Sequence, residues 1–209
     1  MIKRLVFCFL LLIAGVNGYS QVKSIMLDGK DMITQDSTLA ATYAVFGKIT
    51  GDSVYSFKKF DFDGVLLASG SFKDDSLRVP HGNFTYYAWI TPENNTVNYG
   101  YEIKGKERFV SVTGKFVDGL QTGRWISFYP DGKMKQVVTY YKGIIHGAFQ
   151  AFDQTGKMQV SGVYVSGKKQ GVWKLDGGKQ ENTYVRDELI SSLRGKKLRD
   201  KQAQSQNSN

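Results

Sequence analysis

Short runs of alternating apolar and polar residues, separated by turns that contain glycine, make up most of this chain. Residues 134–141 are rich in β-branched and aromatic side chains, with apolar residues on the even positions, which is typical of a half-buried strand. Residues 143–147 carry a glycine at each end and predict a five-residue hairpin connection, because glycine adopts the positive φ angles of a tight bend. Residues 148–152 then form the return strand of an antiparallel hairpin.

This hairpin pattern recurs at a constant step of 24 residues, in the blocks 114–125, 138–149 and 162–173. A repeat of this length is one supersecondary unit that buries its apolar face by stacking on its neighbours. A small residue stands two places before the recurring ring, which predicts that the ring lies along the sheet where a larger neighbour would block it. We assign core packing and turn geometry to the twelve repeat-defining residues, which are Phe116, Gly119, Gly123, Trp125, Tyr140, Gly143, Gly147, Phe149, Tyr164, Gly167, Gly171 and Trp173.

The spacing of these glycines and rings resembles the MORN repeat, in the variant form common in exported bacterial proteins. A diverged earlier copy begins at Phe60 and carries a three-residue insertion between Gly70 and Gly82. The resemblance implies contacts with proteins or membrane lipids, and sometimes dimerisation. Similar bacterial repeats are labelled YwqK-type antitoxins, which implies a toxin partner as an alternative.

The repeats predict an all-β fold, an elongated antiparallel meander of stacked β-hairpin repeats with a short C-terminal helix. The predicted organisation is a signal peptide at 1–20, lead-in and capping strands at 21–56, hairpin repeats at 57–178 and a basic tail at 179–209. The repeat units lie near 60–87, 108–129, 130–153 and 154–175, with an insertion at 88–107. In the tail, the spacing of the apolar residues predicts a helix over 183–199, and residues 200–209 are expected to be disordered; the apolar residues are Val185, Leu189, Ile190 and Leu193.

The first twenty residues have a charged start, an apolar run of about ten residues and small residues before a cut, as secretory signal peptides do. Cleavage after Ser20 is expected, and cleavage after Gly18 is the alternative. The single cysteine, Cys8, lies inside the apolar run, so we predict no lipoprotein anchor and no cysteine in the mature chain. The sequence therefore predicts a periplasmic or extracellular protein without disulfides, cysteine-ligated metals or a cysteine nucleophile.

The formal net charge is +9, of which +2 lies in the first twenty residues and +3 in residues 183–209. The remaining +4 is spread over the rest of the chain, which is mild. A basic surface attracts anionic lipid, polysaccharide or nucleic acid, and export argues against nucleic acid as the partner. Contact with an anionic lipid or a glycan stays open.

The sequence offers few candidate catalytic or metal-binding residues. His81 and His146 both precede the second turn glycine of a repeat, where other copies carry Thr122 and Gln170, and this interchange favours a turn role over a metal ligand or a general base. Most carboxylates fall in turns, and no nucleophile elbow, phosphate loop or metal-ligand spacing is present. We therefore predict no enzyme activity, no catalytic or metal site and no cofactor.

The insertion at 88–107 interrupts the repeats, and insertions of this kind map to loops on one face of a repeat protein. Trp89, Tyr99 and Tyr101 are the candidate binding patch; the alternative is an extra hairpin closed by Asn94-Asn95. The function expected from the sequence is a non-catalytic protein-binding or scaffolding module at the cell envelope, acting through one aromatic-lined face. Alternatives are an antitoxin-like module and a protein that binds anionic lipid or glycan. The partner expected first is an unidentified protein, and the edge strands also offer a route to a homodimer.

Overall fold

The computed structural model describes residues 21–48, 51–91, 94 and 108–206. The predicted signal peptide and most of the predicted insertion, including Tyr99, Tyr101 and Asn95, lie outside these residues. The described strands are β1 (Gln21–Asp28), β2 (Ile33–Thr34), β3 (Ala40–Lys48), β4 (Tyr55–Phe60), β5 (Leu66–Phe72), β6 (Gly82–Trp89), β7 (Arg108–Val117), β8 (Leu120–Phe128), β9 (Met134–Tyr141), β10 (Ile144–Phe152), β11 (Met158–Val165), β12 (Lys168–Leu175), β13 (Gln180–Val185) and β14 (Glu188–Arg194). A 3-10 turn, Asp176–Gly178, precedes β13, and one helix, α1 (Lys196–Gln206), follows β14.

These strands form one antiparallel sheet in which β3 to β14 follow one another in chain order. The one departure from that order is β1, which lies between β3 and the two-residue strand β2. The predicted all-β antiparallel meander of stacked hairpins, with a short helix at the C-terminal end, is confirmed.

The hairpin connection is shorter than the sequence predicted. Strand β10 already begins at Ile144, which pairs with Tyr141, so the turn consists of Lys142 and Gly143 alone. Both residues have positive φ, 49° and 80°, as the two-residue turns of tight hairpins require. The prediction of a five-residue connection was wrong because only the first of its two glycines belongs to the turn.

The second glycine of each repeat lies in a bulge. Gly147 has a φ of 112°, and the pairing of β10 with β9 shifts between Ile145 and Phe149. On its other side Gly147 pairs directly with Tyr164 of the next strand, as Gly123 pairs with Tyr140. A bulge bends and twists the strand, and the missing side chain leaves room for the ring opposite. The 24-residue period is therefore built from one turn glycine and one bulge glycine.

A third kind of glycine lies beneath the tryptophans. A β-carbon at Gly114 would collide with the indole of Trp125, and one at Gly162 would collide with that of Trp173. The prediction that small residues let the rings lie along the sheet agrees with this geometry, with one change. The ring over each glycine comes from the neighbouring strand rather than from two places later in the same strand.

Successive hairpins are also joined at their turns. The backbone N–H of Gly143 donates to the carbonyl of Gln121 at 2.9 Å, and that of Gly167 donates to the carbonyl of Ile145 at 2.8 Å, 24 residues later. Each turn is thus attached to the hairpin before it.

Strands β1 and β3 form an apolar cluster with β4 and β5 at the N-terminal end of the sheet, where a stack of repeats would otherwise expose its core. Its buried members are Leu27, Ala44, Phe46, Phe57 and Ala68. The predicted turn at 50–52 lies partly outside the described residues, and Gly51 within it has a φ of 94°.

The tail differs from the prediction. Residues 183–199 do not form one helix, because β13 and β14 make a further hairpin and α1 begins only at Lys196. Residues 200–206, expected to be disordered, belong to α1, and 207–209 lie outside the described residues. The side chain of Leu198 is buried, and Lys201 Nζ lies 2.9 Å from Glu181 Oε2 on β13, which fixes the helix against the sheet. No helix in the described residues is long and apolar enough to span a membrane.

Candidate functional site

The recurring rings form a ladder along one side of the sheet, the ring face, whose members are Phe116, Trp125, Tyr140, Phe149, Tyr164 and Trp173. The rings meet edge to face within two sets of three, Phe116–Trp125–Tyr140 and Phe149–Tyr164–Trp173. The centroids are 4.8 Å apart for Phe116 and Trp125 and 4.9 Å apart for Tyr164 and Trp173. This is the preferred geometry of packed aromatic pairs. The tryptophans are 7% and 2% exposed, so they serve as the core of the sheet and offer little surface to a ligand.

The two histidines join neighbouring hairpins. Nδ1 of His81 accepts a hydrogen bond from the backbone N–H of Asp118, and Nδ1 of His146 accepts one from Ser166, each at 3.2 Å. In the next copy the Oε1 atom of Gln170 accepts from Arg186 at 3.0 Å. An amide and an imidazole perform the same task, which agrees with the turn role predicted for the histidines.

The turn carboxylates bind their own loops. The hydroxyl of Thr155 and nearby backbone N–H groups donate to Asp153 and hold the pKa of that carboxyl below its usual value. The backbone N–H groups of Met32 and Lys30 have the same effect on the pKa of Asp28. Within the described residues, no group of three or more His, Cys, Asp or Glu side chains is placed to hold a metal ion.

A groove of about 410 Å³ opens on the ring face beside Trp125. Its apolar walls are Val112, Phe116, Val138 and the rings of Tyr86, Trp125 and Tyr140, and its polar side chains are Gln121, Ser127 and Gln136. Burial raises the pKa of the Tyr86 hydroxyl. None of the described residues that line the groove is charged.

The three polar side chains of the groove are half-buried and make no hydrogen bond within the described part of the chain. Ser127 pairs directly with Gln136, and Gln121 pairs with Phe116, so register places all three on the ring face. One repeat later the same positions carry Ile145, Ala151 and Val160. This difference lies in columns of the repeat that change between copies, so the recurring glycines and rings give no sign of it.

The predicted patch in the insertion is described only at Trp89. This residue ends β6, is 38% exposed and lines a second cavity of about 510 Å³ together with Leu27, Phe57 and Leu77. Tyr99 and Tyr101 lie outside the described residues. The amide of Asn94 donates to the carbonyl of Trp89 at 2.8 Å.

Exposed apolar side chains gather at one edge of the sheet, where the hairpins turn. This hairpin-tip stripe consists of Leu120, Tyr141, Ile144, Val165 and Val185, which are 44–58% exposed. Successive residues of a strand point to opposite faces of the sheet. Tyr141, Val165 and Val185 each follow a ring-face residue in the chain, Leu120 precedes one, and Ile144 pairs directly with Tyr141. The stripe therefore lies on the face opposite the rings.

Residues 121–142 match the family model described as the MORN repeat variant. This segment is similar to the MORN repeat variant. It contains three of the repeat-defining residues, namely Gly123, Trp125 and Tyr140. A MORN repeat variant indicates a repeat-type protein-binding module, and MORN repeat proteins are generally non-catalytic. The match does not distinguish antitoxin-type members, so a toxin partner stays a prediction. Comparison with curated proteins finds no match.

Proposed function

We propose that this chain is an exported, non-catalytic MORN-type protein that binds a partner protein at the cell envelope through the hairpin-tip stripe. The observation that carries the proposal is the regular exposure of apolar side chains at the hairpin tips, with Leu120 at 47%, Ile144 at 54% and Val185 at 46%. Contiguous exposed apolar surface of this kind marks interaction sites.

The stripe also has the spacing of a binding surface. Consecutive tips are two strands apart, about 10 Å at the usual strand separation, and the turn hydrogen bonds hold them in line. Leu120 lies against Gly143, and Ile144 lies against Gly167, so each apolar side chain is supported by the next turn. A rigid row of apolar anchors suits an extended protein surface better than a small ligand.

Export rests on the charged and apolar pattern of 1–20. Expression of the full chain in a Gram-negative host, followed by N-terminal sequencing of the periplasmic fraction, tests it. We expect a mature chain that begins at Gln21. Uncleaved protein that stays in the cytoplasm would remove the envelope from the proposal and leave protein binding standing.

Partner binding is tested by crosslinking the full chain in the envelope fraction and identifying captured proteins by mass spectrometry. The variant Leu120→Ser with Ile144→Ser should lose the partner at both low and high salt. The matched control, Met134→Ser with Met158→Ser, removes apolar side chains of similar exposure, 42% and 38%, from the opposite ends of the same repeats. Equal capture by both variants would contradict the role of the stripe.

An anionic surface is a second candidate partner, favoured by the exposed cations of α1, Lys196, Lys197 and Arg199. Such binding is electrostatic and weakens as salt rises. Flotation with phosphatidylglycerol vesicles, compared with phosphatidylcholine vesicles, measures it. Lys197→Glu with Arg199→Glu should abolish the flotation if α1 is responsible, and unchanged flotation would exclude it.

A further inference from the structure

We infer that the groove beside Trp125 is a binding site for a neutral oligosaccharide. This goes beyond the proposed function, because the groove lies on the ring face and the hairpin-tip stripe on the opposite face. Either site can fail its test without affecting the other.

First, the polar side chains of the groove are replaced by apolar ones in the next repeat. Ser127 opposes Gln136 across β8 and β9, and the equivalent pair in the next repeat is Ala151 opposite Val160. The scaffold therefore forms equally well with apolar side chains at these positions. The polar atoms of Gln121, Ser127 and Gln136 remain open to solvent, so they are available to pair with a ligand that enters the groove.

The second step is the chemistry of the lining. A glutamine amide both donates and accepts hydrogen bonds, as a serine hydroxyl does, and this matches the hydroxyl groups of a sugar, which also do both. The half-buried rings of Phe116 and Tyr140 supply apolar walls for the C–H faces of a pyranose. Among the described residues the lining carries no charge, which disfavours phosphate, carboxylate and ammonium ligands, since none would find a counter-charge in it.

The third step is the size and position of the groove. Its volume of about 410 Å³ falls in the range of small-ligand pockets, about 300–1,000 Å³. An extended peptide would bind by adding a strand at a sheet edge. The groove lies between β6 and β9, where the strands already pair on both sides, so backbone addition is not available to a peptide there.

The test is isothermal titration calorimetry of the full chain with three neutral oligosaccharides, cellohexaose, chitohexaose and maltohexaose, and with an anionic galacturonate hexamer. The decisive variant is Gln121→Ile, Ser127→Ala, Gln136→Val, which gives the groove the residues of the next repeat. The control variant, Ile145→Gln, Ala151→Ser, Val160→Gln, makes the reverse exchange one repeat away and leaves the groove intact.

At least one neutral oligosaccharide should bind the wild-type chain, and the groove variant should weaken that binding at least tenfold, because several hydrogen bonds are lost together. The control variant should bind within twofold of wild type. The urea midpoint of the groove variant should equal or exceed that of wild type, which excludes misfolding as the cause. Binding by none of the neutral sugars, binding of the anionic hexamer alone, or equal weakening in both variants would overturn the inference.

Discussion

Trp125 and Trp173 occupy the same position of the repeat and have different surroundings. Trp173 is 2% exposed, donates from Nε1 to the carbonyl of Val163 at 3.3 Å and packs among Phe149, Tyr164 and Tyr184. The indole of Trp125 is also buried, but its Nε1 has no hydrogen-bond partner in the described part of the chain. The groove opens beside Trp125.

This difference shows that the backbone motif does not determine how tightly the indole at this repeat position is packed. Both indoles lie on a glycine of the preceding strand, Gly114 or Gly162, and both follow a bulge glycine with a φ of 71°. The neighbouring side chains make Trp173 a closed position and Trp125 an open one. Removing or displacing the ring should therefore lower the free energy of unfolding by different amounts at Trp125 and at Trp173.

The largest effect is expected from removing the indoles. Trp173→Ala should lower the free energy of unfolding by about 3–5 kcal/mol, the usual cost of emptying a packed aromatic site. Trp125→Ala should lower the free energy of unfolding by a smaller amount, and the difference between the two variants should be about 1 kcal/mol or more. The surroundings of Trp125 are already open, and no indole hydrogen bond is lost. Denaturant unfolding measures both. An equal or larger loss at Trp125 would refute the distinction between an open and a closed position.

A smaller effect is expected from crowding the rings. Gly162→Val should cost about 2–3 kcal/mol, since the added side chain collides with the packed indole of Trp173. Gly114→Val should cost less, because Trp125 can move toward the groove.

The middle repeat offers a rescue for this crowding. There Val138 stands at the glycine position and pairs directly with a smaller ring, Phe149. Adding Trp173→Phe to Gly162→Val should therefore recover part of the lost stability, and a double-mutant cycle measures the coupling. A purely additive result would show that ring size and glycine are not linked.

The turns should respond more weakly. Gly167 has a φ of 82°, and at the equivalent turn of the last hairpin Asp187 has a φ of 73°. Gly167→Ala should cost about 1 kcal/mol, because alanine is strained at positive φ. Gly167→Asp should cost less, since aspartate tolerates this conformation better. Thermal midpoints of the two variants check the order, and the reverse order would contradict it.

The smallest effect concerns pH. The pKa of Asp153 is lowered in the folded chain by the Thr155 hydroxyl and backbone N–H groups, so its contribution is complete above the unfolded pKa of about 3.9 and is lost as the pH falls through the lower folded value. Tyr129 occupies the equivalent position one repeat earlier. Asp153→Asn should make unfolding less sensitive to acid below about pH 4. Identical acid dependence in wild type and variant would show that the loop carboxylate does not contribute.

The hairpin repeat could be predicted from sequence because its determinants are local. Alternation within residues 134–141 and the glycines at 24-residue steps mark the strands and bends without reference to distant residues. The same reasoning misplaced the second glycine, because a bulge and a turn both use positive φ. Only the pairing of Ile144 with Tyr141 separates the two cases.

The hairpin of β13 and β14 was not predicted, because it follows the hairpin before it at a shorter spacing than the other repeats. Tyr184-Val185 repeats Tyr164-Val165 after 20 residues rather than 24, so the last hairpin does not share the 24-residue period. The helical spacing of Val185, Leu189 and Ile190 was misleading, since all three are exposed on strands. The groove was beyond reach for a different reason, because it depends on side chains from β6 to β9 that only the sheet brings together.

The hydrogen bonds between successive turns, from Gly143 to Gln121 and from Gly167 to Ile145, make these two junctions between repeats alike. A unit of 24 residues could therefore be deleted or duplicated in frame while the remaining junctions keep their partners. Each such event would change the span of the sheet by about 10 Å, two strand separations. The length of the sheet is thus set by the number of repeats and can change in a single genetic step.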